Sequence, residues 1–298
     1  DAGASLLFKG AGDYPAHLAQ IDDAPPVLSA RGSPHLLSRP SVGIVGARNA
    51  SINAQRLAQS LAEDLAAEGY VIVSGLARGI DAAAHNGALA GGTVAVIAGG
   101  IDIIYPPENA DLHESIAQTG LLVAEMPPGT QPTPRHFPIR NRIIGALALG
   151  VVVVEAAERS GSLITAREAG ERGGEVMAIP GSPLDPRSQG CNHLIREGAT
   201  LVRGAGNIVE CLARPLAATL PDPADWRQAR LVPGKPEEID RCRSAILEGL
   251  GPEGTDIDEV IRWCGMPAST VLAAILELEI AGRLTRHHGN RICLVVIR

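Results

Sequence analysis

Short aliphatic runs recur along the first two thirds of the chain. Val42-Gly43-Ile44-Val45, Val71-Ile72-Val73, Val94-Ala95-Val96-Ile97, Leu121-Leu122-Val123, Val151-Val152-Val153-Val154 and Val176-Met177-Ala178-Ile179 lack polar alternation, and Thr200-Leu201-Val202 adds a seventh run. Such runs are strands buried on both faces. Helical periods fill the intervals, over 51–68 and 79–89 among others. Strands alternating with helices predict an α/β fold, an extended Rossmann-like, doubly wound and mostly parallel sheet. Residues 1–40 are punctuated by Pro and Gly with little period, which predicts an extended lead-in. Pro215, Pro221, Pro223, Pro233 and Pro236 mark 214–236 as an extended linker. Beyond it, helical stretches at 239–250, 257–264 and 268–281 precede a hairpin turning at His288-Gly289-Asn290. Three helices and a hairpin predict a small C-terminal winged-helix domain at 237–298, leaving 41–213 as the core.

Composition narrows the possibilities. Aromatic residues are only 2% of 298, so Ala, Val, Ile and Leu fill the core. A net charge of −7 argues against a positive coat for duplex DNA and allows only a focused groove. Cys191, Cys211, Cys242, Cys264 and Cys293 are scattered without a C-x-x-C, so reduced thiols in the cytoplasm are expected, and no zinc site. No apolar stretch reaches the roughly 20 residues of a membrane span, and no signal-peptide pattern opens the chain. The first residue is Asp1 rather than Met, so upstream sequence is expected to be missing.

Against this acidic background, Arg135, His136, Arg140 and Arg142 cluster with no acid between 133 and 142. The segment reads as a cationic loop leading to the fifth strand. Phe137, one of two phenylalanines, lies among the charges. Guanidinium groups hold phosphates, and a ring stacks a base for about 1–3 kcal/mol. Alternatively, Phe137 anchors the loop and the arginines form internal ion pairs.

Further glycine-containing loops follow the other strands, at the sheet edge where ligands of such folds sit. Gly46, Arg48 and Ser51 lie where the first strand meets its helix. Ser51 caps that helix, whose N–H groups attract anions, and Arg48 adds a charge; a plain turn with a solvated arginine is the alternative. The next loop holds Ser74, Gly75, Arg78 and Gly79, with glycines suited to close backbone approach. Asp81 and His85, at i and i+4 on one helix face, read as a structural hydrogen-bonding pair, because no nucleophile or metal cluster accompanies them. Tyr105, after the third strand, either stacks or packs at the rim. Ser160, Gly161 and Ser162 bring hydroxyls and main-chain N–H groups to a helix start, a phosphate cradle in principle and often merely a cap. The chain lacks G-x-G-x-x-G, and its second strand ends without a carboxylate for a ribose, which argues against a nicotinamide cofactor; G-x-x-x-x-G-K is also missing, which disfavours ATP hydrolysis. No catalytic residue, cofactor or metal is assigned.

Val45-Gly46-Ala47-Arg48, the segment from Ser74 to Asp81, His136-Phe137-Pro138-Ile139-Arg140-Asn141-Arg142-Ile143-Ile144, Arg159-Ser160-Gly161-Ser162-Leu163-Ile164-Thr165-Ala166 and Ala178-Ile179-Pro180-Gly181-Ser182 together resemble the DNA-processing protein A (DprA/Smf) family. The resemblance covers about residues 10–212, and the tail is similar to the family's winged-helix appendage. It implies a cytoplasmic homodimer of natural transformation that binds and protects incoming single-stranded DNA and loads RecA recombinase onto it, not an enzyme. It maps a DNA pocket onto Arg48, Phe137 and Arg140, lined by the 74–81 and 159–163 loops. Many relatives carry a lysine after the Tyr-Pro matching Tyr105-Pro106; Pro107-Glu108 stands here, which puts one phosphate contact in doubt. The lead-in is expected to be a remnant of the family's N-terminal helical domain.

Combining residues and resemblance, the expected DNA-binding set is Gly46, Arg48, Ser51, Ser74, Gly75, Arg78, Gly79, Arg135, Phe137, Arg140, Asn141, Arg142, Ser160, Gly161 and Ser162. About four neutralised phosphates predict a log–log salt slope near −3, with little sequence preference. Joint Arg48→Ala and Arg140→Ala substitution is expected to abolish most binding with folding intact. The alternative is a nucleotide-processing Rossmann hydrolase, phosphoribohydrolase-like, although Pro180-Gly181-Ser182 lacks the second glycine and the threonine of a P-G-G-x-G-T loop. A third reading is a duplex-binding regulator acting through the tail. The tail's helix at 267–282 carries Glu277 and Glu279 and no basic residue, which favours a protein contact or regulatory role over DNA reading.

Overall fold

A computed structural model describes residues 3–217, 236–251, 254–287 and 291–295. The chain divides into two units, Asp1–Ala218 and Thr219–Arg298. The first contains β1 (Ser5–Phe8), α1 (Ala16–Ala19), β2 (Val27–Gly32), β3 (Ser41–Val45), α2 (Ile52–Ala67), β4 (Val71–Ser74), α3 (Ile80–Ala88), β5 (Thr93–Gly100) and α4 (Ala110–Thr119). It continues through β6 (Leu121–Met126), α5 (His136–Leu147), β7 (Gly150–Val153), α6 (Ser162–Glu171), β8 (Glu175–Ala178), α7 (Gln189–Arg196), β9 (Thr200–Leu201) and α8 (Ala205–Ala217).

Among the described residues, nine strands form one sheet in the order β1-β2-β6-β5-β4-β3-β7-β8-β9. The pairings from β6 through β9 are parallel. Successive side chains on a strand point to opposite faces, so each aliphatic run serves two cores. Val42 and Ile44 pack with Leu61 and Leu65 of α2 and Ile80 and Ala84 of α3. Val45 and Val153 pack on the other face with Ile144 and Leu147 of α5 and Ala166 of α6. This double burial is why the runs carry no polar residue.

The chain builds β3 to β6 outward in one direction, then returns through α5 to lay β7 on the other side of β3. The carboxyl ends of β3 and β7 thus flank the point where the strand order reverses, the usual ligand crevice of an open α/β sheet.

Residues 3–40 differ from the expected lead-in. β1 and β2 form an antiparallel hairpin, and β2 joins β6 antiparallel at the sheet edge. Of the four residues of β1 only Leu7 is buried, so the hydrophobic pattern is too thin to read. The expected cationic loop is also different, because His136 opens α5. Pro138 falls in that helix's first turn, where a missing N–H costs nothing.

The second unit holds α9 (Pro236–Gly249), β10 (Thr255–Asp256), α10 (Ile257–Cys264), α11 (Ala268–Ile280), β11 (Leu284–His287) and β12 (Arg291–Leu294). Its sheet runs β10-β12-β11. Cys242, Ile246, Val271, Ile275 and Ile292 are among its core residues, in a winged-helix arrangement. The expected turn at His288-Gly289-Asn290 and most of the expected linker lie outside the described residues. Among those described, no single helix is long and apolar enough to cross a membrane.

Candidate nucleic-acid interface

A groove of about 740 Å³ opens at the switch point between β3 and β7. Helix α5 supplies one wall. Phe137, Arg140, Asn141 and Ile144 are spaced i, i+3, i+4 and i+7, so they share one helix face, and all four line the groove. Arg48, from the loop after β3, places its guanidinium carbon 4.8 Å from the centre of the Phe137 ring. Tyr105 meets the same ring at 5.8 Å between centroids, tilted 49°. Two of the scarce aromatics, Phe137 and Tyr105, thus meet here with a cation over one ring.

Arg140 is only 6% exposed. Its Nη1 donates to the Val96 carbonyl at 2.7 Å, and its buried Nε has no protein partner. Burial pulls its pKa down to about 10, with Asp81 opposing and Arg48 adding to the shift. The group therefore keeps its charge at neutral pH. Asp81, also buried, accepts from the Gly75 and Ala77 N–H groups at 3.2 and 3.4 Å and so shapes the loop after β4. Burial raises its pKa, against the pull of Arg140, those two amides and Arg48.

The glycines serve close packing. A Cβ on Gly75 would overlap the Arg140 guanidinium, and one on Gly46 would come within 2.6 Å of Ile80. Gly79, at φ +77°, packs against the carbonyls of Ala47 and Arg48. The loops after β3 and β4 are thereby fitted to each other.

Several expected site residues lie elsewhere. Arg142 is two residues beyond Arg140 on α5, hence on nearly the opposite helix face. It donates to Glu125 at 2.6 Å and lies 3.5 Å from Asp23, so its phosphate assignment is withdrawn. Ser74 is fully buried and donates to the Ile44 carbonyl at 2.6 Å. Ser51 caps α2, accepting from Ala54 N–H at 3.1 Å, while its own N–H donates to Glu155 at 2.7 Å. The anion at that helix start is therefore an internal carboxylate. Arg135 is exposed at the N-cap of α5 and does not line the groove.

Ser160, Gly161 and Ser162 do line it, but the expected amide cradle is largely spent on the turn. The Ser162, Leu163 and Ile164 N–H groups bond to Ser160 Oγ, Ser160 O and Gly161 O, and the two serine hydroxyls lie 2.7 Å apart. Asn141 ties this turn to α5 by donating to the Gly161 carbonyl at 3.3 Å. Arg159, exposed on the groove's edge, joins the lining residues although it lies outside the expected DNA-binding set; it opens the R-S-G-S motif. Glu155 is absent from the groove's lining and serves as the internal partner of the Ser51 N–H; its signal is a carboxylate directly after a buried aliphatic run.

Arg78 lines a smaller adjoining pocket with Gly75, and it pairs with Glu108 at 3.5 Å. The expected Asp81–His85 pair does not form. His85 Nδ1 bonds Thr93 Oγ1 at 2.7 Å, and that hydroxyl donates to the Ile72 carbonyl.

Residues 5–213 match the family described as DNA recombination-mediator protein A, and residues 232–290 match the DprA winged helix domain. The DNA processing protein DprA of Streptococcus pneumoniae is 48% identical over 198 residues, 66% of this chain and 70% of that protein. Its X-ray structure gives a TM-score of 0.67 over 70% of this chain and 74% of that one. Protein Smf of Escherichia coli is 39% identical over 284 residues, 94% of this chain and 75% of its own length. DNA processing protein A of Helicobacter pylori, solved to describe its single-stranded DNA binding mode, gives a TM-score of 0.65 at 31% identity, over 71% of this chain and 96% of that one. The chain belongs to the DNA recombination-mediator protein A family.

Proposed function

We propose that this chain binds single-stranded DNA in the groove at the β3–β7 switch point and passes the strand to the RecA recombinase. The observation that carries the reading is Arg48 poised 4.8 Å over the Phe137 ring, at the mouth of a groove that also holds Arg140 and Arg159. Guanidinium groups take the phosphates, and the Phe137–Tyr105 pair stacks a base. Every base has a π-face, so little sequence preference is expected. Family membership and the single-strand binding of the Helicobacter relative support the same reading. Natural transformation, a homodimer and a cytoplasmic site of action belong to this proposal as implications of the family resemblance.

The role is non-catalytic. Asp81, the carboxylate among the groove's lining residues, already serves structure on two amides, and Glu155 holds the Ser51 N–H. In the winged-helix unit, Glu277 and Glu279 of α11 pair with Arg243 and Arg286, while Leu272, Leu276 and Ile280 stay exposed. That surface suits protein contact better than a phosphate backbone.

A competition titration of single-stranded against duplex oligonucleotide at two salt concentrations tests the proposal. Preferential displacement by the single strand, weakening with salt, is expected. Equal competition by duplex would overturn it.

A further inference from the structure

Beside the main groove, and sharing Arg48, Phe137 and Arg140 with it, lies a second pocket of about 200 Å³. The buried, unpartnered Arg140 Nε belongs to a side chain that lines both. The small pocket adds Arg78, and it adds one carboxylate, Glu108. Their charged ends are 3.5 Å apart, with the two side chains 55% and 59% exposed. An exposed ion pair of this kind holds weakly. The two are nonetheless kept close by backbone anchoring. Asn109, next to Glu108, donates through Nδ2 to the Leu76 and Ala77 carbonyls at 3.0 and 3.3 Å, just before Arg78.

Resting on the single-strand reading above, we infer that Arg78 is a phosphate subsite masked by Glu108, a built-in competitor that a backbone phosphate displaces on binding. A phosphate offers Arg78 the same paired oxygens as the carboxylate does, with the bidentate geometry guanidinium favours. The strand therefore gains the Arg78 contact only against the loss of the Glu108 pair. Glu108 thereby sets how tightly, and with what salt sensitivity, the strand is held.

The test is a fluorescence anisotropy titration of an oligo-dT single strand across a salt series. The proteins are the wild type, Glu108→Gln, Arg78→Gln and the double variant, each checked for an unchanged melting curve. Glu108→Gln is expected to tighten binding about fivefold at low salt, the scale of one exposed charge pair. It is also expected to steepen the salt slope by about 0.7, because in the wild type the freed Glu108 carboxylate takes up a cation that offsets the one released where Arg78 meets its phosphate. In the Arg78→Gln background the gain should vanish. Unchanged affinity in Glu108→Gln, or an equal gain with and without Arg78, overturns the inference, because Glu108 would then act on the strand at large or not at all. A wild type that binds no oligo-dT overturns the single-strand reading itself, and the inference with it.

Discussion

The Arg140 guanidinium lies directly against Gly75, in the space a side chain there would fill. The guanidinium has little freedom to retreat, being buried and bonded to the Val96 carbonyl. Gly75→Ala is therefore expected to push Arg140 out of place. Overpacking of this kind costs about 1–3 kcal/mol of stability, and oligo-dT affinity should fall about tenfold, equivalent to about 1.4 kcal/mol. Denaturant unfolding and anisotropy measure the two effects; a variant of wild-type affinity would show that Arg140 placement is irrelevant to binding.

Arg142 should behave in the opposite way. It sits with Glu125 at 2.6 Å in a site where the side chains are 13% and 20% exposed. Arg142→Met leaves Glu125 without its partner, and breaking such a pair costs about 3 kcal/mol. The folded fraction should keep its affinity for single strands. A large affinity loss at unchanged stability would return Arg142 to the groove.

His85 gives the stability a pH dependence. Burial, and secondarily the Arg140 charge, pushes its pKa down to about 3. The unfolded residue titrates near 6.5. Between these values the unfolded chain binds a proton that the folded one refuses. The contribution is thus complete above about 6.5 and lost as the pH falls toward 3. At pH 5 the loss is on the order of 2 kcal/mol from this group. Melting temperatures of the wild type and His85→Gln at pH 7.5 and 5 should show a smaller drop in the variant; equal drops would assign the effect elsewhere.

The salt dependence should be shallower than the sequence alone predicts. With Arg142 turned away, Arg135 off the groove and any Arg78 contact offset by the loss of its Glu108 pair, the groove retains Arg48, Arg140 and Arg159. Three neutralised phosphates give a log–log slope of about −2. A slope near −3 or steeper in the wild type would mean that Arg135 or Arg142 also meets the strand.

The sheet was legible because strands buried on both faces leave uninterrupted aliphatic runs such as 151–154, and the glycine loops mark where those strands end. The β1–β2 hairpin was not, because an edge strand with one buried residue leaves almost no pattern. In the site, the residue types of 135–142 revealed the chemistry but not the geometry. Reading the segment as a loop hid the helical period that sends Arg140 and Arg142 to different faces. The helix start at Ser51 shows the same limit, since its partner Glu155 is 104 residues away and only the β3–β7 pairing brings them together. The expectation that joint replacement of Arg48 and Arg140 spares the fold is also revised. Removing the buried Arg140 withdraws the largest charge opposing the burial of Asp81, so a loss of binding in that variant would mix two causes.

Arg48 separates those causes, because it lines the groove and sits over Phe137 without being buried in the core. The decisive measurement is oligo-dT affinity by anisotropy for the wild type and Arg48→Ala, alongside their melting curves. The expected result is a loss of about tenfold or more, combining a phosphate contact with the cation over the stacking ring, at an unchanged melting temperature. Wild-type affinity in a folded Arg48→Ala protein would contradict single-strand binding at this groove.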